Sequence, residues 1–274
     1  MMDIARLEAN WAWACVVVLA GCAAESDEPS PGDFDAWGER TPGAVTLSVE
    51  GGRRVEAWFP AVEADGPKHA YFLGITGEAV EGTPDCAEAR PVVLFSHGNG
   101  GLRYQSMYLT EFLASHGYVV VAPDHEGNTS FDEDRSGYGR SALRRPGELR
   151  EAFEAVAADP RFDGCVDAAA GYAVAGHSFG GWTALVAAGA TMERSYAEEV
   201  CGADRGWICQ VLDEPVWPDL ALEGVWAVVS MTPATYDTLS VGAMGGVEAP
   251  LLILGGSEDD LTPWDSDQER VWPG

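Results

Sequence analysis

Gly176-His177-Ser178-Phe179-Gly180 sets a serine between two glycines at the spacing that can turn a hydroxyl into a nucleophile. The chemistry needs a sharp strand-to-helix turn that lifts the hydroxyl clear, with glycines where a Cβ would block the turn. The apolar run 171–176 (GYAVAG) before the serine and the small-residue stretch 179–190 after it supply that context. Attack on a carbonyl builds negative charge on its oxygen. Two backbone N–H groups must hold that charge, one from the residue after the nucleophile and one from a loop after an earlier strand. Phe179 is the first donor. The second is Asn99, because Gly98-Asn99-Gly100-Gly101 follows the apolar run 91–95 (PVVLF) and its missing side chains leave the amides accessible. His97 reads as a brace for that loop, and His177 as a side chain directed away from the serine.

The elements that must position these groups alternate. Residues 45–50 and 53–60, parted by two glycines, read as an antiparallel N-terminal hairpin, and a Gly/Pro-rich stretch follows over 66–84. Continuous apolar runs at 91–95, 118–122, 171–176, 224–229 and 250–254 have the length and composition of strands buried on both faces. Between them lie a predicted helix over 103–116, with Tyr108, Phe112 and Leu113 on one face, and a polar loop over 126–138. A helix over 146–158, started by Pro146, and a helix over 179–190 complete the alternation. Residues 191–220 break the rhythm and read as an insertion. The pattern is α/β: a mostly parallel sheet covered by helices on both faces.

With 274 residues, 46% of them apolar, the chain can close a large core, which excludes disorder and a disulfide knot as readings of the whole. Sixteen Lys and Arg against 44 Asp and Glu give a net charge of −28, a surface that repels phosphate backbones, so no nucleic-acid partner is expected. Cys86, Cys165, Cys201 and Cys209 suit two disulfides, with three pairings open. No cysteine or histidine spacing fits a metal site, and no cofactor is implied. Residues 11–20 (WAWACVVVLA) are too short to span a bilayer and read as a signal-peptide core. Leu19-Ala20-Gly21-Cys22 resembles a bacterial lipobox, with Cys22 as the lipid anchor. The expected organisation is a signal peptide over 1–22, a tether over 23–43 and one domain over 44–274, held at the cell envelope outside the cytoplasm, where cysteines oxidise.

The segments FSHGNGGLR (95–103), LASHGYVVVAPDHEG (113–127) and GHSFGGWTAL (176–185) together resemble the α/β-hydrolase serine esterases of the platelet-activating-factor acetylhydrolase and dienelactone-hydrolase type. The resemblance implies an α/β-hydrolase fold and hydrolysis of a small-molecule or lipid carboxylic ester through an acyl-Ser178 intermediate. It places the triad acid in the loop after 250–254. Gly256, Asp259 and Pro263 fit the family's G-x-x-D-x-x-x-P spacing and assign Asp259, with Glu258 and Asp260 as alternatives. Mammalian-type acetylhydrolases place the acid one strand earlier, where this chain has Ser230 and Met231.

The family's general base is a histidine downstream of the acid. All five histidines, His69, His97, His116, His125 and His177, precede Ser178. Three readings follow: a fuller form that carries the histidine together with the last strand and helix, a substitute such as His125, or a lipid-anchored binding protein that kept the fold without the chemistry.

Overall fold

Continuous burial along the central strands builds the sheet of the computed structural model, which describes residues 36–203, 207–235 and 238–272. The expected signal peptide, Cys22 and most of the tether lie outside them. Along β1 (Pro42–Ser48) and β2 (Arg54–Pro60), the expected hairpin, strands pair antiparallel with Leu47 opposite Val55. A second hairpin, β3 (Lys68–Phe72) and β4 (Ile75–Val80), occupies the stretch expected to be irregular. In β3, Lys68, Ala70 and Phe72 point outward while His69 and Tyr71 are buried, a period-2 pattern partly hidden by the surrounding glycines and prolines.

The apolar runs form β5 (Val92–Ser96), β6 (Val119–Pro123), β7 (Tyr172–His177), β8 (Val225–Met231) and β9 (Leu251–Leu254), all mutually parallel, in the order β3-β4-β1-β2-β6-β5-β7-β8-β9. Val92 and Leu94 face one core with Val119, Val121 and Val174, under α2 (Tyr138–Ala158) and α3 (Phe179–Ala187). Val93 and Phe95 face the other with Val120, Ala122 and Ala175, under α1 (Met107–Ser115). Among the described residues β9 is the outer strand, and Leu252 and Leu254 are exposed on it beside Val229 and Met231 of β8.

Three helices depart from expectation. α1 buries Thr110, Glu111, Ala114 and Ser115, whereas Tyr108 is exposed. The Glu111 carboxylate accepts from the Tyr71 hydroxyl (2.6 Å) and from the amides of Glu78 (2.8 Å) and Ala79 (3.1 Å), and this ties α1 to the unforeseen hairpin. α2 starts at Tyr138, with Pro146 inside it. A buried stripe through Ala142, Arg145, Leu149, Ala152 and Val156 offsets the hydrogen bond that proline removes. α3 ends at Ala187, short of residue 190, before the left-handed Gly189. The insertion contains α4 (Arg194–Ala203) and a 3-10 segment (Trp207–Asp213) joined by the Cys201–Cys209 disulfide, and the second disulfide is Cys86–Cys165.

Candidate active site

Ser178 sits at the β7–α3 turn with φ 57° and ψ −118°, a conformation that costs a non-glycine residue about 1–3 kcal/mol and persists only where its surroundings impose it. The constraint is visible on both sides. Its amide donates to Met231 O at the end of β8 (2.8 Å), and its carbonyl accepts from Trp182 N (3.1 Å). A Cβ on Gly176 would lie 2.1 Å from Gly180 O, and one on Gly180 would lie 1.9 Å from Ser96 O, so both glycines are required for strand, turn and helix to approach this closely. Ser178 is thereby presented at the C-terminal end of the parallel strands, where open α/β sheets place ligands.

The loop after β5 faces this turn. Gly101 N donates to Gly98 O (3.1 Å), closing a turn in which Gly100 is left-handed. The His97 ring braces it: Nδ1–H donates to Gly98 O (2.7 Å) and Nε2 accepts from His125 N (3.1 Å). Asn99 Oδ1 accepts from Asn128 Nδ2 (2.8 Å), and Asp124 accepts from Arg103 N (2.8 Å) and Nη1 (3.0 Å) just beyond. Phe179 opens α3, so its amide lies at the positive end of that helix.

His125 is not a substitute base for Ser178. It is fully buried, its Nε2 accepts from the Ser96 hydroxyl (2.9 Å), and its Nδ1–H donates to Glu148 (2.7 Å). Burial holds both His125 and His97 well below the ordinary imidazole value, with nearby positive charge adding to the effect, so both are neutral. Ser96, His125 and Glu148 thus form a serine–histidine–acid chain inside the protein, where its hydroxyl meets no solvent.

Asp259 follows β9 on the same end of the sheet as Ser178. Its carboxylate accepts from Thr262 N (3.0 Å), Leu261 N (2.8 Å) and Thr262 Oγ1 (2.8 Å), and these bonds lower its pKa. Glu258 and Asp260 make no side-chain hydrogen bond among the described residues. Asp259 is close enough to His177 for the two to interact electrostatically; the His177 ring turns to Gln105 Nε2 (3.1 Å), and burial lowers its pKa. Among the described residues, none hydrogen-bonds the Ser178 hydroxyl. His69 is bound to Glu56 (2.8 Å) and His116 packs on Phe112 at the end of α1.

Arg145, Glu148, Asn128 and Gln105 are the site's unforeseen supports. A signal existed for two of them, since Arg145 and Glu148 lie on the buried side of α2. Of the tryptophans, Trp182 is buried against Phe179, and Trp217 donates to Val211 O (2.8 Å), which are packing roles. Among the described residues no group of three or more His, Cys, Asp or Glu is placed to hold a metal.

The fold and this turn define an α/β-hydrolase architecture. A family model, that of platelet-activating factor acetylhydrolase, isoform II, matches residues 76–133. That span runs from β4 through the glycine-rich loop after β5 to the loop after β6. Among solved structures the chain is similar to a ferulic acid esterase from Streptomyces cinnamoneus, with a TM-score of 0.58 and 23% identity over 87% of this chain and 72% of that one. A comparison with curated proteins finds no match. The resemblance read from the sequence to α/β-hydrolase-like serine esterases is borne out by the family match and the fold.

Proposed function

We propose that this chain is a serine hydrolase of carboxylic esters. Ser178 Oγ attacks the ester carbonyl and gives up its proton to a base. The carbonyl oxygen becomes an oxyanion between the amides of Asn99 and Phe179, and the alcohol leaves with a proton as the C–O bond breaks. Water then cleaves the acyl-Ser178 ester. The observation that carries this reading is the strained, left-handed Ser178 at the β7–α3 turn, opposite a braced oxyanion loop. An acetylhydrolase family match and an esterase neighbour favour carboxylic esters, from small molecules or lipids. Asp259 is the acid that orients an imidazole, a group the described residues do not place at Ser178. The two disulfides favour an extracytoplasmic location, and with them an envelope protein anchored in the membrane through Cys22.

An oxyanion hole without its base still retains about 10³–10⁴-fold catalysis over water, so acylation should be slow rather than absent. The test is fluorophosphonate labelling with and without added imidazole. An adduct mapped to Ser178, absent in Ser178→Ala and forming faster with imidazole, is expected. A folded chain with no adduct in either condition would overturn the esterase reading in favour of a binding protein.

A further inference from the structure

Arg145 is fully buried in the middle of α2, and its hydrogen bonds all go to neutral oxygens. Nη1 donates to His97 O (2.7 Å) and Ser96 Oγ (3.2 Å), while Nη2 donates to Gly98 O (3.3 Å) and Asn128 Oδ1. Glu148, one turn on, contributes electrostatically, but no carboxylate hydrogen-bonds the guanidinium among the described residues. A charge taken out of water on such terms is expensive, and an apolar side chain of similar volume would fill the space at lower cost. What needs explaining is where its bonds lead.

They lead to both halves of the oxyanion hole. A trans peptide points its C=O and the next N–H in opposite directions, so a Gly98 carbonyl held inward by Arg145 and His97 aims the Asn99 N–H outward. Asn128 relays a second grip, accepting from Arg145 and donating to Asn99 Oδ1. The same guanidinium lies 4.1 Å from the centre of the Phe179 ring, against the residue that carries the other donor.

We propose that Arg145 is a positioning residue for the oxyanion hole, which fixes the Gly98–Asn99 peptide and the Phe179 side chain from behind as one unit. A cation on the Gly98 oxygen also polarises that peptide, which makes the Asn99 N–H a stronger donor. Burial pushes the guanidinium down to about 9, still charged at neutral pH. The catalytic part of this proposal rests on the esterase reading above, whereas the anchoring of the loop does not.

The test compares the wild-type chain with Arg145→Met and Arg145→Lys on two readouts. The first is amide hydrogen exchange. The Gly98 and Gly101 amides, bonded to Gln105 Oε1 and Gly98 O, should exchange at least about tenfold faster in Arg145→Met. Leu94 and Val174 in the neighbouring strands should keep their protection. The second readout is the saturation kinetics of fluorophosphonate labelling at Ser178. The maximal rate should fall roughly tenfold to a hundredfold, with the half-saturating concentration held, and lysine should recover part of the loss. Unchanged exchange, a rise shared equally by Leu94 and Val174, or a maximal rate within twofold of wild type would overturn the proposal. If Arg145→Met does not fold, Arg145→Lys decides, with a smaller shift in the same direction on both readouts. A wild-type chain that is not labelled sinks the esterase reading, and the exchange comparison then decides the place of Arg145 alone.

Discussion

The two sides of Ser178 are built by different means. On the β5 side, donors and acceptors far apart in sequence converge in a region without solvent: Arg145 reaches back 48 residues to His97 O, and Glu148 reaches 23 residues to His125. On the β9 side, Asp259 is held by amides two and three residues ahead of it, in a solvent-facing loop beside an outer strand. A network made of long-range buried bonds is rigid, and each member lost leaves buried partners unsatisfied. A locally closed turn survives substitution because it depends on little beyond itself.

The sharpest way to break this contrast is to remove Glu148. Glu148→Ala leaves the buried His125 Nδ1–H without its acceptor and removes one of the two carboxylates on the partly buried Arg53, which keeps Glu151, and should cost about 4 kcal/mol of unfolding free energy in urea titrations. Gly180→Ala comes next. Its Cβ would meet the Ser96 carbonyl, which belongs to backbone and cannot swing aside, so a loss of about 3 kcal/mol is expected together with loss of labelling at Ser178.

Acid should find the same side. In the unfolded chain His97 and His125 take up protons near the usual imidazole value of 6.5, whereas the folded pair stays neutral. The unfolded state therefore binds more protons as the pH falls through that value, and stability drops. Glu148, whose carboxyl is raised by burial, works in the opposite direction and offsets part of it. The urea midpoint should move down between about pH 7 and pH 5.5 by the equivalent of roughly 2 kcal/mol. The smallest effect belongs to the β9 side: Asp259→Ala loses only solvent-screened hydrogen bonds, so stability should change by under about 1 kcal/mol. The same substitution should nonetheless reduce the gain in labelling from added imidazole, if Asp259 orients that ring. Equal stability losses for Glu148→Ala and Asp259→Ala would erase the contrast.

What could be read from the sequence followed the same division. The five parallel strands, the serine turn and the loop at Asn99 are written in short contiguous runs, apolar strings and glycine spacings, which report on local geometry. The hairpin β3–β4 is not legible because β3 alternates over only five residues set among glycines and prolines, and β4 does not alternate at all. The face of α1 was misassigned because a glutamate, Glu111, is buried there, and only the tertiary partners Tyr71, Glu78 and Ala79 make that affordable. The Cys86–Cys165 pairing, 79 residues apart, and the bonds made by Arg145 and Asn128 depend on chain reversals that no local pattern encodes. Asp259 was legible only through the G-x-x-D-x-x-x-P spacing that the family resemblance implies, with Glu258 and Asp260 as alternatives, and the structure adds that its oxygens close its own turn.

The outer strand β9 carries a further consequence, in colloidal behaviour. Among the described residues no strand pairs its outer edge, and that edge with the exposed Leu252 and Leu254 offers a template on which another chain can add as a strand. A net charge of −28 keeps copies of this protein apart in dilute buffer. At about 1 M salt the reach of that repulsion shrinks to roughly 3 Å, shorter than the spacing between neighbouring strands, and attraction at the edge is no longer opposed. Light scattering should therefore rise with ionic strength, the reverse of what a surface held together by ion pairs would do, and charged substitutions at Leu252 and Leu254 should suppress the rise.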